Sequence, residues 1–403
     1  MIAFTQSYRL LSLVNIKSRV LRVLKFLPVW LGVCHAMEME TRIEEGKITE
    51  GSPVRLSRKK QAAFTLVVFI VFLLLVESLL WIFGIPRRLR NDPGWARKAK
   101  NAIGFEHTPN WSGYHAGAIT TINSSEWRGK EFSPSKTEGI IRILGVGDSF
   151  TFGRAVGDDE VFLVRLEEIL NSESDKQYET INSGHERMNT LQELQYMKDR
   201  NMMALKPDAV ILGFTIHNDA QISDSGYRRV LRRKMRERSL LLRTVESNGY
   251  KRVAKYSRIT RILDDGARWA KVDLITELSS STILANYKED SKGWETCRNS
   301  LLGIYDLCRE ANVPLIVALF PIFKSDTGRT FADYPDDFRK VHHQLKTVLD
   351  DKPGVTVIDI LDDLAASGIE TNQLKVPKDG HPNALWHDIV ARRLRLAIKE
   401  LRL

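Results

Sequence analysis

The chain has 403 residues, enough for one large domain or two small ones with a sizeable core. Its 43% hydrophobic and 27% charged content is that of an ordinary folded protein, and the absence of repeats or low-complexity tracts excludes a solenoid or a wholly disordered chain. The formal charge of +10 is concentrated in places, and three cysteines supply no disulfide framework. Cys297 and Cys308 are eleven residues apart on one predicted helix. That places them about 16 Å apart along its axis, beyond the roughly 7 Å a disulfide allows.

Residues 1–61 are basic and patchily apolar and carry no predicted fold; Met37 and Met39 are candidate starts. Ala62 to Ile85 is nearly all apolar. As a helix it would be about 36 Å long, enough to cross a hydrocarbon core of about 30 Å, whereas a buried core helix would need apolar neighbours on every side. Its one charge, Glu77, lies about two turns from the end, within reach of the interface. Pro86 with Arg87, Arg88 and Arg90 stops the helix, and residues 86–135 read as linker and lead-in.

From Ile140 to the C-terminus the pattern alternates strand and helix. Strands are predicted at 140–146, 178–182, 208–214, 313–320 and 355–359, and helices at 160–171, 189–203, 294–311, 334–350 and 383–401. Alternation of this kind specifies an α/β fold, here an open parallel sheet of about five strands with helices on both faces, over residues 136–403. A polar insertion at 224–292 breaks the rhythm. From Arg228 to Lys271 it holds fifteen Lys/Arg against four Asp/Glu.

Four loops following predicted strands carry reactive residue types. Gly147-Asp148-Ser149 ends the first strand, where open α/β sheets bind ligands, so Ser149 is a candidate nucleophile; Asp148 or Ser149 as a helix N-cap is the plainer alternative. Gly184 follows the second strand and is either functional or a turn glycine needing positive φ. Asn218 follows the third and is either functional or an N-cap. Asp379-Gly380-His381-Pro382-Asn383 precedes the last helix. His217, His342, His343 and His387 have no partner pattern. No metal spacing, phosphate loop or dinucleotide fingerprint occurs, so no cofactor is expected.

Ser149, Gly184, Asn218 and His381, in that order and each after a strand, resemble the SGNH (GDSL-type) hydrolases, and Ile122-Asn123-Ser124 with Trp127-Arg128-Gly129 resembles the lead-in of bacterial membrane-associated members. The resemblance implies a flavodoxin-like sheet and a serine carboxylester hydrolase acting on small O-acyl groups, acetyl-like, on carbohydrate. An acyltransferase to a glycan hydroxyl or a non-catalytic binding protein of the same fold are the alternatives. Ser149 would be the nucleophile, His381 the base and Asp379 its orienter. The backbone N–H groups of Ser149 and Gly184 and the Asn218 amide would form the oxyanion hole. Two positions depart from the pattern: the acid's usual place, three before the histidine, is Lys378, and Ile216 stands where a glycine is usual. Gly380, lacking a Cβ, is expected to permit the tight bend that brings Asp379 to His381.

The basic stretch Arg228–Lys271 fits an anionic lipid surface, an acidic polysaccharide or a solvated cap; no motif near it points to nucleic acid. Basic residues flank the apolar span on both sides, and by count they favour the C-terminal side inside. The resemblance favours an extracytoplasmic domain, and that is the expectation taken: a single-pass membrane protein whose partners are a small acyl ester and the membrane.

Overall fold

The computed structural model describes residues 57–82, 92–101, 104–220, 250, 257–260, 280, 283–323, 330–377 and 379–403. The chain divides into two units: residues 1–88 with 244–266, and residues 89–243 with 267–403. The N-terminal segment before 57 and most of the basic insertion lie outside the described residues.

In the smaller unit one helix, α1 (Arg58–Ile82), contains the apolar run. At 1.5 Å per residue it is about 37 Å long. None of its residues is buried and its apolar side chains point to every side, so it is long and apolar enough to cross a membrane. It begins four residues before the predicted boundary and takes in Arg58, Lys59 and Lys60 as its first turn. Glu77 is bound within the unit. Its carboxylate accepts from the Ser257 hydroxyl at 2.9 Å, from the Ile259 N–H at 3.0 Å and from the Arg258 N–H. The Arg258 guanidinium lies 4.8 Å from the Trp81 ring centroid.

The larger unit begins with β1 (Ala96–Lys98) and β2 (Phe105–His107), an antiparallel pair, then a second pair, β3 (Trp111–His115) and β4 (Ala118–Ile122). These hairpins occupy the stretch read from sequence as a linker. Arg128 joins the second hairpin to the main sheet, bridging Ile122 on one side and Asn182 on the other.

The main sheet comprises β5 (Ile140–Gly147), β6 (Gln177–Asn182), β7 (Ala209–Thr215), β8 (Leu315–Phe320) and β9 (Val355–Asp359). All pairs are parallel and the order is β6-β5-β7-β8-β9. Every residue of β7 and β8 is buried, which is why their sequences are continuous apolar runs rather than alternating ones. The connecting helices are α2 (Ser149–Phe152), α3 (Phe162–Glu173), α4 (Thr190–Asp199), α5 (Lys292–Glu310), α6 (Asp336–Leu349), α7 (Ile360–Ser367) and α8 (Ala384–Glu400). Helix α3 packs on α8 and α4 on α5. The predicted α/β architecture is therefore the observed one. Helix α7 was not predicted.

In this order the chain reverses direction across the sheet between β5 and β7, so the loops leaving their carboxyl ends open a crevice. The loop after β6 joins them from the other side of β5. Ser149 opens the helix at the end of β5, and Asn218 and Gly184 sit in the loops after β7 and β6.

Candidate active site

Strand β5 turns into α2 at Gly147. Its φ of +151° is one that side chains disfavour, and a Cβ there would meet the Gly213 carbonyl oxygen at 2.7 Å. Asp148 then caps α2, its Oδ1 accepting from the Phe150 N–H at 2.8 Å. The plain reading of this motif as a helix cap therefore holds for Asp148. Asp148 is the cap, and Ser149 is the first residue of the helix, 9% exposed.

The histidine arrives from the far end of the chain. Val376 and His381 are joined by an N–H···O bond of 2.9 Å, the Asp379 N–H donates to the Val376 carbonyl at 3.0 Å, and Asn383 caps α8 by accepting from the Trp386 N–H. These bonds fix a short turn that presents His381. Its Nε2 is 2.9 Å from Ser149 Oγ, and its Nδ1 is bonded to Asp379 Oδ1. Burial alone would raise the Asp379 carboxyl, but the His381 hydrogen bond and charge, aided by Arg154, hold it down at about 2. It is therefore an anion at neutral pH, able to hold the imidazole in the tautomer that accepts a proton at Nε2.

The two-residue spacing thus reaches, but not by the expected route. A Cβ at Gly380 would touch nothing within 4 Å, and its φ lies outside the left-handed region. The bend does not need a glycine.

Gly184 has no positive φ, so the turn-glycine alternative does not account for it; its Cα lies against α2, where a Cβ would meet the Thr151 carbonyl carbon at 2.8 Å and collide with the Phe152 nitrogen. Its N–H donates to Asn182 Oδ1 at 3.0 Å. Asn218 caps no helix among the described residues. Its Nδ2 donates to Asp148 Oδ2 at 2.8 Å and to the Met188 carbonyl at 2.7 Å, which uses both amide hydrogens. The structure therefore brings Ser149, Asp379 and His381 into one chain of hydrogen bonds. Gly184 and Asn218 lie in the adjoining loops with their donors engaged internally.

Beneath the serine, Asp148 also accepts from the Thr215 hydroxyl at 3.1 Å. Burial pushes its carboxyl up from the ordinary range, against the hydrogen bonds from Phe150, Asn218 and Thr215 and the charge of His381. Three further groups beside the site were not singled out in the sequence: Arg154, Glu186 and His115. Arg154 lies five residues past Ser149 and Glu186 two residues past Gly184, but neither belongs to a spacing rule. His115 belongs to a hairpin read as linker.

Other nucleophiles are poorly placed. Cys297 and Cys308 are free and buried, and burial pushes both thiols up, Cys308 to about 12, so neither supplies a thiolate. A second His–Asp pair, His342 Nδ1 with Asp359 Oδ1 at 2.8 Å, has no hydroxyl on the other ring nitrogen, which is unpartnered among the described residues. No group of three or more His, Cys, Asp or Glu side chains among the described residues converges as a metal site.

No family model matches the chain, and no curated relative does. Several solved structures are similar to it. One is a lipolytic protein of the G-D-S-L family from Desulfitobacterium hafniense, 12% identical, covering 63% of this chain and 98% of that one with a TM-score of 0.35. An acetyl xylan esterase is 14% identical over 64% of this chain and all of that one, TM-score 0.37. A lipase/acylhydrolase from Enterococcus faecalis is 16% identical over 64% and 96%, TM-score 0.36. Likeness at this level does not identify an activity, which has to come from the site's own geometry.

Proposed function

We propose that this chain is a serine-dependent carboxylester hydrolase, working through an acyl-serine intermediate. The observation that carries the reading is the continuous relay Ser149 Oγ, His381 Nε2, His381 Nδ1, Asp379 Oδ1 at the carboxyl edge of the sheet. In the first half-reaction Ser149 Oγ bonds to the acyl carbon as its proton passes to His381 Nε2. The same imidazolium then protonates the departing alkoxide. In the second, His381 takes a proton from water, the water oxygen attacks the acyl carbon, and the Ser149 oxygen leaves with the proton returned to it. Asp379 stays ionised throughout and balances the imidazolium.

The oxyanion donors proposed are the Ser149 N–H, at the first turn of α2 where it has no intrahelical acceptor, the Gly184 N–H and the Asn218 amide. The last two would exchange an internal acceptor for the oxyanion as charge develops. Resemblance in the catalytic blocks favours a small O-acyl group, acetyl-like, on carbohydrate. Helix α1 is proposed as a single membrane anchor, with the hydrolase unit outside the cytoplasm.

A fluorophosphonate probe tests the reading directly. It should label the peptide containing Ser149, and Ser149→Ala and His381→Ala should each abolish labelling. Both variants should lower turnover of a short-chain ester by roughly 10⁴-fold or more, as members of a triad acting together do. Ester turnover surviving in a folded Ser149→Ala protein would remove the serine from the mechanism.

A further inference from the structure

An aspartate only two residues from its histidine sits on the same short turn, and the turn itself does not set the carboxylate's rotation. The second oxygen of Asp379 is engaged from outside the turn. Arg154 Nε lies 3.7 Å from Asp379 Oδ2, while Arg154 Nη1 donates to Glu186 Oε1 at 2.9 Å. Glu186 in turn is bonded to His115 Nε2 at 2.8 Å. Glu186 and His115 are buried, with side chains 4% and 2% exposed.

The segment carrying Arg154 is itself pinned. Its N–H donates to the carbonyl of Ser149 at 3.0 Å. Arg128, fully buried, donates to the carbonyls of Phe152 at 2.8 Å, Val156 at 2.6 Å and Gly153. We propose, on the reading of the site given above, that Arg154 is a positioning residue: held by Glu186 and His115, it fixes Asp379 in the orientation from which the short spacing reaches His381. The hairpin β3–β4, which supplies His115, is on this account part of the catalytic support.

Opposite charge on both sides of Arg154 leaves little of its field for an anionic substrate, so its loss should fall on kcat and not on KM. The charged and titratable groups facing the Asp379–His381 pair are Arg154 and Glu186, Asp148 under the serine, and His387 on α8. Removing the Arg154 cation leaves the carboxylates in the majority around His381. The acidic limb of activity should therefore move to higher pH, by about one unit.

The experiment follows the full-length protein in detergent with Arg154→Ala, Arg154→Lys and Glu186→Gln. Two readouts are taken against pH: the rate of fluorophosphonate labelling of Ser149, and carbethoxylation of His381 by diethyl pyrocarbonate, quantified by mass spectrometry. Arg154→Ala should slow labelling by roughly tenfold to a hundredfold, the loss typical of a misplaced catalytic group. It should shift both profiles upward in pH, and Arg154→Lys should restore the pH position while recovering only part of the rate. Glu186→Gln should give a smaller rate loss in the same direction. Unshifted profiles in Arg154→Ala, or a steady-state loss on a short-chain ester confined to KM, would overturn the proposal. Carbethoxylation needs neither substrate nor a reactive serine. An upward shift there in Arg154→Ala, with no labelling of the wild-type protein, would refute the hydrolase reading and leave the positioning of His381 standing.

Discussion

Asp379 is the residue whose role the sequence left most exposed to doubt, and the structure assigns its reach to a turn held by Val376 and Asn383 instead of to glycine flexibility. Because a Cβ at 380 meets open space, Gly380→Ala should keep ester turnover within about threefold of wild type, as expected where the native backbone suits alanine. Steady-state rates on a short-chain ester check this; a loss above tenfold would mean that the turn must bend during catalysis. Ser149, Asp379 and His381 were legible because each lies in a short block, one at the end of β5 and the other just ahead of α8. Arg154, Glu186 and His115 were not, because they come from a loop, a second loop and a hairpin that only the fold brings together. Gly184 illustrates the intermediate case. Its identity was legible, but its reason is the close approach of α2 and not backbone torsion.

At the scale of elements, the five sheet strands lie within two residues of their predicted ends, since buried parallel strands are written as apolar runs bounded by polar turns. The hairpins of 96–122 escaped because strands such as Ala96–Lys98 and Phe105–His107 are three residues long and half polar, too short for alternation to register. Helix α7 escaped because Asp359 ends β9 and caps α7 at once, accepting from the Leu361 N–H at 3.2 Å with no glycine or proline between. Within the smaller unit, Glu77 resolves differently from a charge that merely reaches the interface. It accepts from Ser257, Arg258 and Ile259, so the turn at 257–260 is tied to α1 by the helix's own acid. Substituting leucine leaves two backbone donors without that acceptor, a cost of about 1–3 kcal/mol each where water cannot replace it. Glu77→Leu should therefore speed tryptic cleavage after Arg258 in detergent-solubilised protein. Identical cleavage kinetics in the two proteins would show that the carboxylate does not hold the turn.

Across the larger unit, the interior carries titratable groups of both kinds in their neutral forms, a feature that composition cannot reveal because it depends on which side chains the fold encloses. Burial lowers His107, His185 and His387 to about 3, 4 and 3, while burial and, secondarily, repulsion from neighbouring carboxylates (Asp148 on both, Asp219 on Glu193) raise Glu193 and Asp219 well above the ordinary carboxylate range. The signs oppose. A histidine lowered in the fold costs stability as pH falls below about 6.5, when the unfolded chain takes up a proton that the native one refuses. A carboxyl raised in the fold has its full stability below about 4.3 and loses it as pH rises toward the folded value, since only the unfolded chain releases the proton. The two trends offset one another between about pH 4.5 and 6.5, and above that range only the acids act. Glu193 isolates the acid contribution, because neither of its carboxyl oxygens has a partner among the described residues and glutamine matches its shape without the charge. Glu193→Gln should therefore be more stable than wild type, with a gap that widens by about 1.4 kcal/mol per pH unit from about pH 5 until the native carboxyl ionises. Denaturant midpoints at pH 5, 6, 7 and 8 measure the gap. Parallel midpoints for the two proteins across that range would mean that Glu193 is already ionised in the native state, and the account of a carboxyl kept neutral by burial would fail with it.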